Sequence, residues 1–389
     1  MITARELSTA FRSLYGSEPK LYRAPGRVNL IGEHTDYNDG FVMPAAVDFS
    51  TWAAISPRND RLVSVFSENL HDQFKFSLDD PAPQARGNWS DYVRGVAVTL
   101  EQSGYRLGGA ELLLRGDVPI GSGLSSSASV EVATGLALLG NSGVAVERAE
   151  LARLCQRAEN EFVGMRCGIM DQFISCLGQR GKAMLLDCRS LNHDLLSLPD
   201  EVRLVICNTM VKHELAAGEY NSRRAECEAG ISHLVRALPG VRALRDVTEA
   251  ELESHKDRMS EVVYRRCRHV VTENNRVLEG KKALETDNLP EFGRLMNESH
   301  QSLRDDYEVS CAELDTMVRL AQQMPSVYGA RMTGAGFGGC TINLVFARAA
   351  EEFKRRISRA YQAATGINAE VYICRAAAGA REVTGDLSE

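Results

Sequence analysis

Residues 23–40, RAPGRVNLIGEHTDYNDG, constrain this chain more than any other stretch. Pro25 and Gly26 interrupt the backbone, and a short apolar patch of Val28, Leu30 and Ile31 follows. A polar run of Glu33, His34, Thr35, Asp36, Asn38 and Asp39 comes next, closed by Gly40. No single helical or strand period passes through this mixture, so it reads as strand, tight turn and polar loop. Carboxylates and an imidazole gathered on one loop could grip a polyhydroxylated molecule. A solvated turn is the structural alternative, and the rest of the chain decides between them.

The length of 389 residues exceeds what one core usually serves, so two domains are expected. An apolar content of 44% with 25% charged residues is that of an ordinary globular protein. The net charge of −7 leaves no basic stripe for a nucleic acid, although a nucleotide needs only a local pocket. Ten cysteines lie between Cys155 and Cys374 without Cys-x-x-Cys spacing, which suits buried thiols in a reducing compartment rather than disulfides or zinc. The first residues read as an amphipathic helix rather than a signal peptide, and no apolar run approaches a membrane span of about 18 residues. A cytoplasmic monomer without nucleic-acid or membrane partners is the expectation.

Short strands are expected at residues 20–22, 28–31, 51–56, 62–66, 110–115 and 184–187, with helices at 91–104, 127–139, 148–163 and 170–177. A polar loop over 188–200 marks the boundary between domains 1–195 and 196–389. Beyond a strand at 202–208, long helices at 221–238, 260–286, 290–303 and 311–324 precede two strands flanking GAGFGG. A helix at 349–365, a strand at 369–374 and a frayed tail complete the expected order.

Three segments carry chemistry. In PIGSGLSSSAS (residues 119–129), Gly121 and Gly123 permit a tight turn, and serines add hydroxyls where a helix begins. Orphan N–H groups, the helix dipole and hydroxyls together favour a phosphate. The loop lacks the Gly-Lys-Ser/Thr of a Walker A motif and the third glycine of a dinucleotide fingerprint. Ser127 can turn its oxygen to Mg²⁺, although a serine-rich helix cap is the plainer reading. In the second segment, residues 159–175, Asp171 lies between Met170 and Gln172 at a helix start and can position or deprotonate a hydroxyl. Glu159 could supply a carboxylate to Mg²⁺; for Asp171, helix capping is the alternative. The third, RMTGAGFGGCTI from Arg331, holds four glycines where a hairpin needs at most two. That excess implies close approach to a ligand or another loop, or else a wide bulge.

In this order, the three segments resemble the signature motifs of the GHMP small-molecule kinases, and GRVNLIGEHTDYNDG resembles the sugar signature of its galactokinase branch. The resemblance runs from about residue 21 to residue 374. It implies an α+β architecture of two domains, with a left-handed βαβ crossover in the first, a ferredoxin-like second domain and an active site in the cleft. It implies that Asp171 is catalytic and that Arg27 beside it stabilises transferring charge. Glu33, His34, Thr35 and Asp36 are then the sugar loop, with Gly168 and Tyr220 as further sugar contacts. Gly121, Ser122, Gly123, Leu124, Ser125, Ser126 and Ser127 form the ATP phosphate loop, with Ser67 a further nucleotide contact. The run NWSDYVRGV resembles the adenine-side helix, which implies that Trp89 and Tyr92 line the base pocket, with two ordinary core aromatics as the alternative, and that Ser127 and Glu159 hold Mg²⁺. The implied reaction converts ATP and α-D-galactose to galactose 1-phosphate and ADP. A kinase for N-acetylgalactosamine and a non-catalytic galactose and ATP sensor are the alternatives. The Ser127-Ala128 pair, whose loss marks the sensors, is present.

Overall fold

The computed structural model describes residues 3–119, 121–212 and 216–385. The chain opens with helix α1 (Ala4–Tyr15), started by a Thr3/Glu6 capping box. Strands β1 (Lys20–Asn29), β2 (Phe41–Val42), β3 (Pro44–Pro57), β4 (Leu62–Ser67) and β5 (Asp72–Ser77) follow. Helix α2 (Ser90–Gln102) leads to β6 (Ala110–Gly116), then to α3 (Ser126–Asn141), α4 (Arg148–Arg157) and α5 (Met170–Leu177). β7 (Lys182–Asp187) and β8 (His193–Ser197) close the first body. Its main sheet has the order β13-β1-β3-β6-β4-β5, where β13 (Arg381–Glu382) is the last strand of the chain. β4 and β6 pair in parallel, joined through β5 and α2; every other strand pairing among the described residues is antiparallel. Helices α2 to α5 bury apolar side chains such as Val96, Leu136 and Phe173 against one face. Leu7 and Phe11 of α1 pack with Trp52 and Leu113 on the other.

The second body begins with β9 (Val202–Lys212) and the helices α6 (Ala216–Ala237), α7 (Glu249–Ser254), α8 (Glu261–Glu285), α9 (Leu289–Asp305) and α10 (Ala312–Gln322). It continues with β10 (Val327–Thr333), β11 (Gly338–Phe346), α11 (Ala350–Thr365) and β12 (Glu370–Cys374). The sheet order β10-β11-β9-β12, antiparallel throughout, is the ferredoxin-like arrangement interrupted by the long helical insertion after β9. Val28, Leu30 and Met43 of the first body share one core with Ile206, Ile342 and Leu344 of the second. Burial of that seam sets how the loops of the two bodies face each other.

The structure corrects several expectations. Residues 20–31 do not split into two strands: β1 runs through Pro25 and Gly26 with a bulge, because the missing N–H of a proline is tolerated at an irregularity. The expected boundary after residue 195 falls inside β8, which pairs with β7. Residues 375–385 of the expected frayed tail are ordered, since Tyr22 of β1 pairs with Glu382 of β13 and Val383 is buried, returning the chain to the first body; residues 386–389 lie outside the described residues. The helix expected over 148–163 turns π-helical at Ala158–Val163, the irregularity often found where a helix serves a site.

Candidate active site

The bulge in β1 places Arg27. A Cβ on Gly26 would stand 2.6 Å from the Leu124 carbonyl oxygen, so only glycine lets β1 approach the serine loop this closely. The Arg27 N–H donates to that same oxygen at 3.1 Å. Ser175 Oγ, on α5, donates to the Pro25 carbonyl at 2.7 Å and ties the helix to the bulge. Asp171, one turn earlier on α5, therefore meets Arg27 as a planar fork: Nε reaches Oδ1 and Nη2 reaches Oδ2, each at 2.7 Å. Ser125 Oγ adds a third bond to Oδ2 at 2.5 Å, and Arg27 Nη1 donates to the Gly123 carbonyl at 2.5 Å. Burial opposes the charge of Arg27, yet Asp171 and then Glu33 outweigh it and raise the guanidinium pKa. Ser125 sits in the left-handed region at φ 59°, a strained conformation for a non-glycine residue, and its bond to Asp171 helps hold it there.

Two cavities meet at the serine loop. One, of about 270 Å³, is walled by Arg27, Asp171, Glu33, His34, Asp36, Tyr220 and Gly168. The other, of about 410 Å³ and largely apolar, is walled by Trp89, Tyr92, Ser67, Leu70 and Val118. Gly121, Ser126 and Ser127 line both. A ligand with an apolar flat end and an anionic end can thus lie in the second cavity with its anion over the start of α3, pointing at Asp171. Trp89 donates its indole N–H to Asp72 at 2.8 Å, which fixes the ring in the wall.

The polar loop of residues 33–36 divides its labour in a way the sequence did not show. Both oxygens of buried Glu33 are bonded, one to Asn29 Nδ2 at 2.6 Å and the other to the Gly334 N–H at 2.5 Å. Burial raises the Glu33 pKa, against the pull of Arg331 and Arg27. Both ring nitrogens of His34 are engaged as well. Nε2 lies 3.2 Å from the Ala335 carbonyl, which can only accept, so Nε2 carries the proton. Nδ1 then accepts from Tyr37 Oη at 2.8 Å, and Tyr37 accepts from Tyr307 at 2.7 Å. Burial, reinforced by His269, drives the imidazole pKa down to about 3 and keeps it neutral. Asp36 is different. It lines the cavity, and burial followed by the charge of Asp171 lifts its pKa to about 7. Gly168 abuts it, since an added Cβ would lie 1.9 Å from Asp36 Oδ2.

Three expected contacts turn away from both cavities. Thr35 is fully buried and donates its hydroxyl to the Gly32 and Phe41 carbonyls at 2.9 and 2.6 Å, closing the turn instead. Ser122 donates to the Pro119 carbonyl at 2.7 Å, and the Leu124 side chain lies in the core shared by the bodies. Asn29, Tyr37, Ala335 and the direct Ser125–Asp171 bond were missed: Ala335 and Ser125 reach their partners from distant segments, while Asn29 and Tyr37 lie within four residues of Glu33 and His34 and depend on how the turn folds. The glycine-rich loop after β10 packs behind the serine loop: a Cβ on Gly334, at φ 87°, would lie 2.8 Å from the Gly123 carbonyl. Its glycines serve approach to another loop.

A second acidic group lies beside Ser127. Gln172 Nε2 donates to Glu159 at 2.6 Å and to Glu131 at 3.0 Å, and the Cys167 thiol also donates to Glu159. Burial, then Asp171, raises the Glu159 pKa to about 7; burial, then Glu159, pushes that of Glu131 well above the ordinary carboxylate range. Glu131 had a sequence signal, as the one charge in the otherwise small and apolar α3. Its Oε1 has no hydrogen-bond partner among the described residues. Clustered carboxylates with an orphaned oxygen and no cationic side chain bonded to them suit a hard divalent cation.

A largely apolar cavity meeting a glycine- and serine-rich loop at a helix start, beside a fixed Asp–Arg pair, fits the class of small-molecule phosphotransferases. Comparison with known proteins agrees: residues 91–179 match the GHMP kinase N-terminal domain and residues 281–363 its C-terminal domain. Residues 9–57 match the galactokinase galactose-binding signature. A galactokinase of Roseiflexus sp. is 48% identical, covering 98% of each chain, and one of Chloroflexus aggregans is 48% identical, covering 96% of this chain and 97% of the relative. The crystal structure of Lactococcus lactis galactokinase complexed with galactose superposes with a TM-score of 0.93 at 38% identity, covering 97% of this chain and 99% of that one. The chain belongs to the galactokinase family of the GHMP kinases.

Proposed function

We propose that the chain transfers the γ-phosphoryl group of ATP to the C1 hydroxyl of α-D-galactose at the junction of the two cavities. The observation that carries this reading is the Arg27–Asp171 fork, set where the polar cavity meets the serine loop. Galactose occupies the polar cavity. Asp36 is its principal carboxylate acceptor, while Glu33 and His34 shape the wall and present ring and backbone rather than free polar atoms. Gly168 leaves room for Asp36, and Tyr220 closes the far side. ATP lies with its base between Trp89 and Tyr92, near Ser67, and its phosphates over residues 121–127.

Asp171 orients the C1 hydroxyl and receives its proton as the O–P bond forms. Because its oxygens are already held by Arg27 and Ser125, alignment is its larger contribution. Arg27 offsets charge on the transferring phosphoryl group. Ser127 and Glu159 would hold Mg²⁺, which neutralises charge on the phosphates. Glu131, bridged to Glu159 through Gln172, strengthens that preference for a cation. The ten unpaired cysteines fit a reducing compartment such as the cytoplasm.

The test is Asp171→Asn, with kcat and galactose binding measured separately. Transfer should fall by about 10³-fold or more while calorimetry still detects galactose. A variant with near wild-type kcat would remove Asp171 from the chemistry. ADP release over a panel of free sugars, including N-acetylgalactosamine, checks the acceptor; galactose should give the highest kcat/KM.

A further inference from the structure

A third cavity, of about 330 Å³, lies where the connections between the two bodies run. Its walls come from β1, from residues 198–204 leading from β8 into β9, and from residues 374–381 returning to β13. Five arginines line it: Arg23, Arg180, Arg203, Arg375 and Arg381. Two aspartates oppose them. Asp48 already accepts a bond from the Cys374 thiol, while Asp200 meets Arg203 through its backbone carbonyl at 2.8 Å. Arg180 and Arg375 are exposed and have no hydrogen-bond or ion-pair partner among the described residues, and Arg203 is bonded only to the carbonyls of Asp200 and Val202. In a chain of net charge −7, the guanidinium groups of Arg180, Arg203 and Arg375, which meet no carboxylate among the described residues, make this cavity a local reversal of the overall field.

We propose that this cavity binds the phosphoryl group of a phosphorylated small molecule and clamps the seam between the two bodies. Planar guanidinium forks match phosphate oxygens in pairs, and a cavity of this size admits a metabolite rather than a macromolecule. The backbone around it leads to the catalytic elements. Ala380 N–H donates to the Ser175 carbonyl at 2.8 Å, at the end of α5, whose first turn holds Asp171. Ala377 N–H donates to Ala46 at 2.9 Å, and Arg23 stands on the strand that carries Arg27.

The experiment titrates inorganic pyrophosphate by calorimetry into enzyme saturated with galactose and a non-hydrolysable ATP analogue, so that the serine loop is filled. Wild type should bind one equivalent. Arg180→Ala/Arg375→Ala, which alters two side chains without partners among the described residues, should weaken it at least tenfold and leave kcat without added anion unchanged. No binding to the saturated wild type, or equal affinity in the double variant, would overturn the proposal. Displacement of pyrophosphate by galactose 1-phosphate or by ADP then separates a sugar phosphate from a nucleotide. Displacement by neither would overturn the assignment to a small phosphorylated molecule.

Discussion

Two acidic centres stand side by side on α5 and the helices around it, and they solve the same problem in opposite ways. Asp171 has its counter-charge in the protein, a buried arginine forked onto both oxygens. Glu159 and Glu131 have an amide between them and no guanidinium at all. The first centre is complete before substrate arrives, so its geometry is preorganised. The second stores like-charge repulsion that only protonation or a bound cation relieves. In the proposed reaction, placing them together would let one site align the acceptor hydroxyl and attract a metal–nucleotide complex.

The largest effect should come from breaking the complete centre. Arg27→Met leaves a carboxylate without its partner, and kcat should drop by about 10³-fold or more, with a stability loss of roughly 3–5 kcal/mol in urea unfolding. Wild-type stability in that variant would show that the fork is not a structural unit. Glu159→Gln should cut kcat by about 10²-fold and raise the Mg²⁺ concentration needed for half-maximal rate. It should also stabilise the apo protein, in a defined pH window. The folded-state pKa of about 7 lies above the ordinary 4.5, so the native state holds a proton that the unfolded chain releases. That favours folding at low pH and is lost as pH rises through about 7. The gain from Gln should therefore be on the order of 1–3 kcal/mol at pH 8 and near nothing at pH 4; the reverse order would contradict the burial argument.

Asp36 is an intermediate case, close to Arg27 yet raised to about 7 by burial and by Asp171. Asp36→Ala should raise the galactose KM by about tenfold or more and the ATP KM far less. In wild type, galactose KM should climb as pH falls below about 7, because the protonated acid loses an acceptor. Equal effects on both substrates would take the sugar role away from Asp36. The smallest effect belongs to the loop behind both centres: Gly334→Ala should lower the melting temperature by several degrees and reduce kcat only a few fold, since its Cβ meets the Gly123 carbonyl.

The helices α2, α3 and α5, the strands around the serine loop and the pairing across GAGFGG were legible in spacing and glycine content. So was the ferredoxin-like second body, once the family was recognised. Less legible were the bulge that carries Arg27 past Pro25, β8 and the return of the tail to β1, because each is decided by partners far along the chain. The polar loop of residues 33–36 shows the limit most plainly. Sequence named Glu33, His34, Thr35 and Asp36 together, whereas packing gives Thr35 to a turn and commits Glu33 and His34 to Asn29, Gly334, Tyr37 and Ala335.

By itself, the sequence determined which chemical groups were available: a phosphate cradle, an acid at a helix start, a polar loop and arginines near them. These follow from local backbone rules and from side-chain type. Tertiary structure alone decided which atoms remain free for a ligand. That depends on hydrogen bonds between segments as distant as Arg27 and Asp171, or His34 and Ala335, and a buried polar group is spoken for by whichever partner folding brings to it.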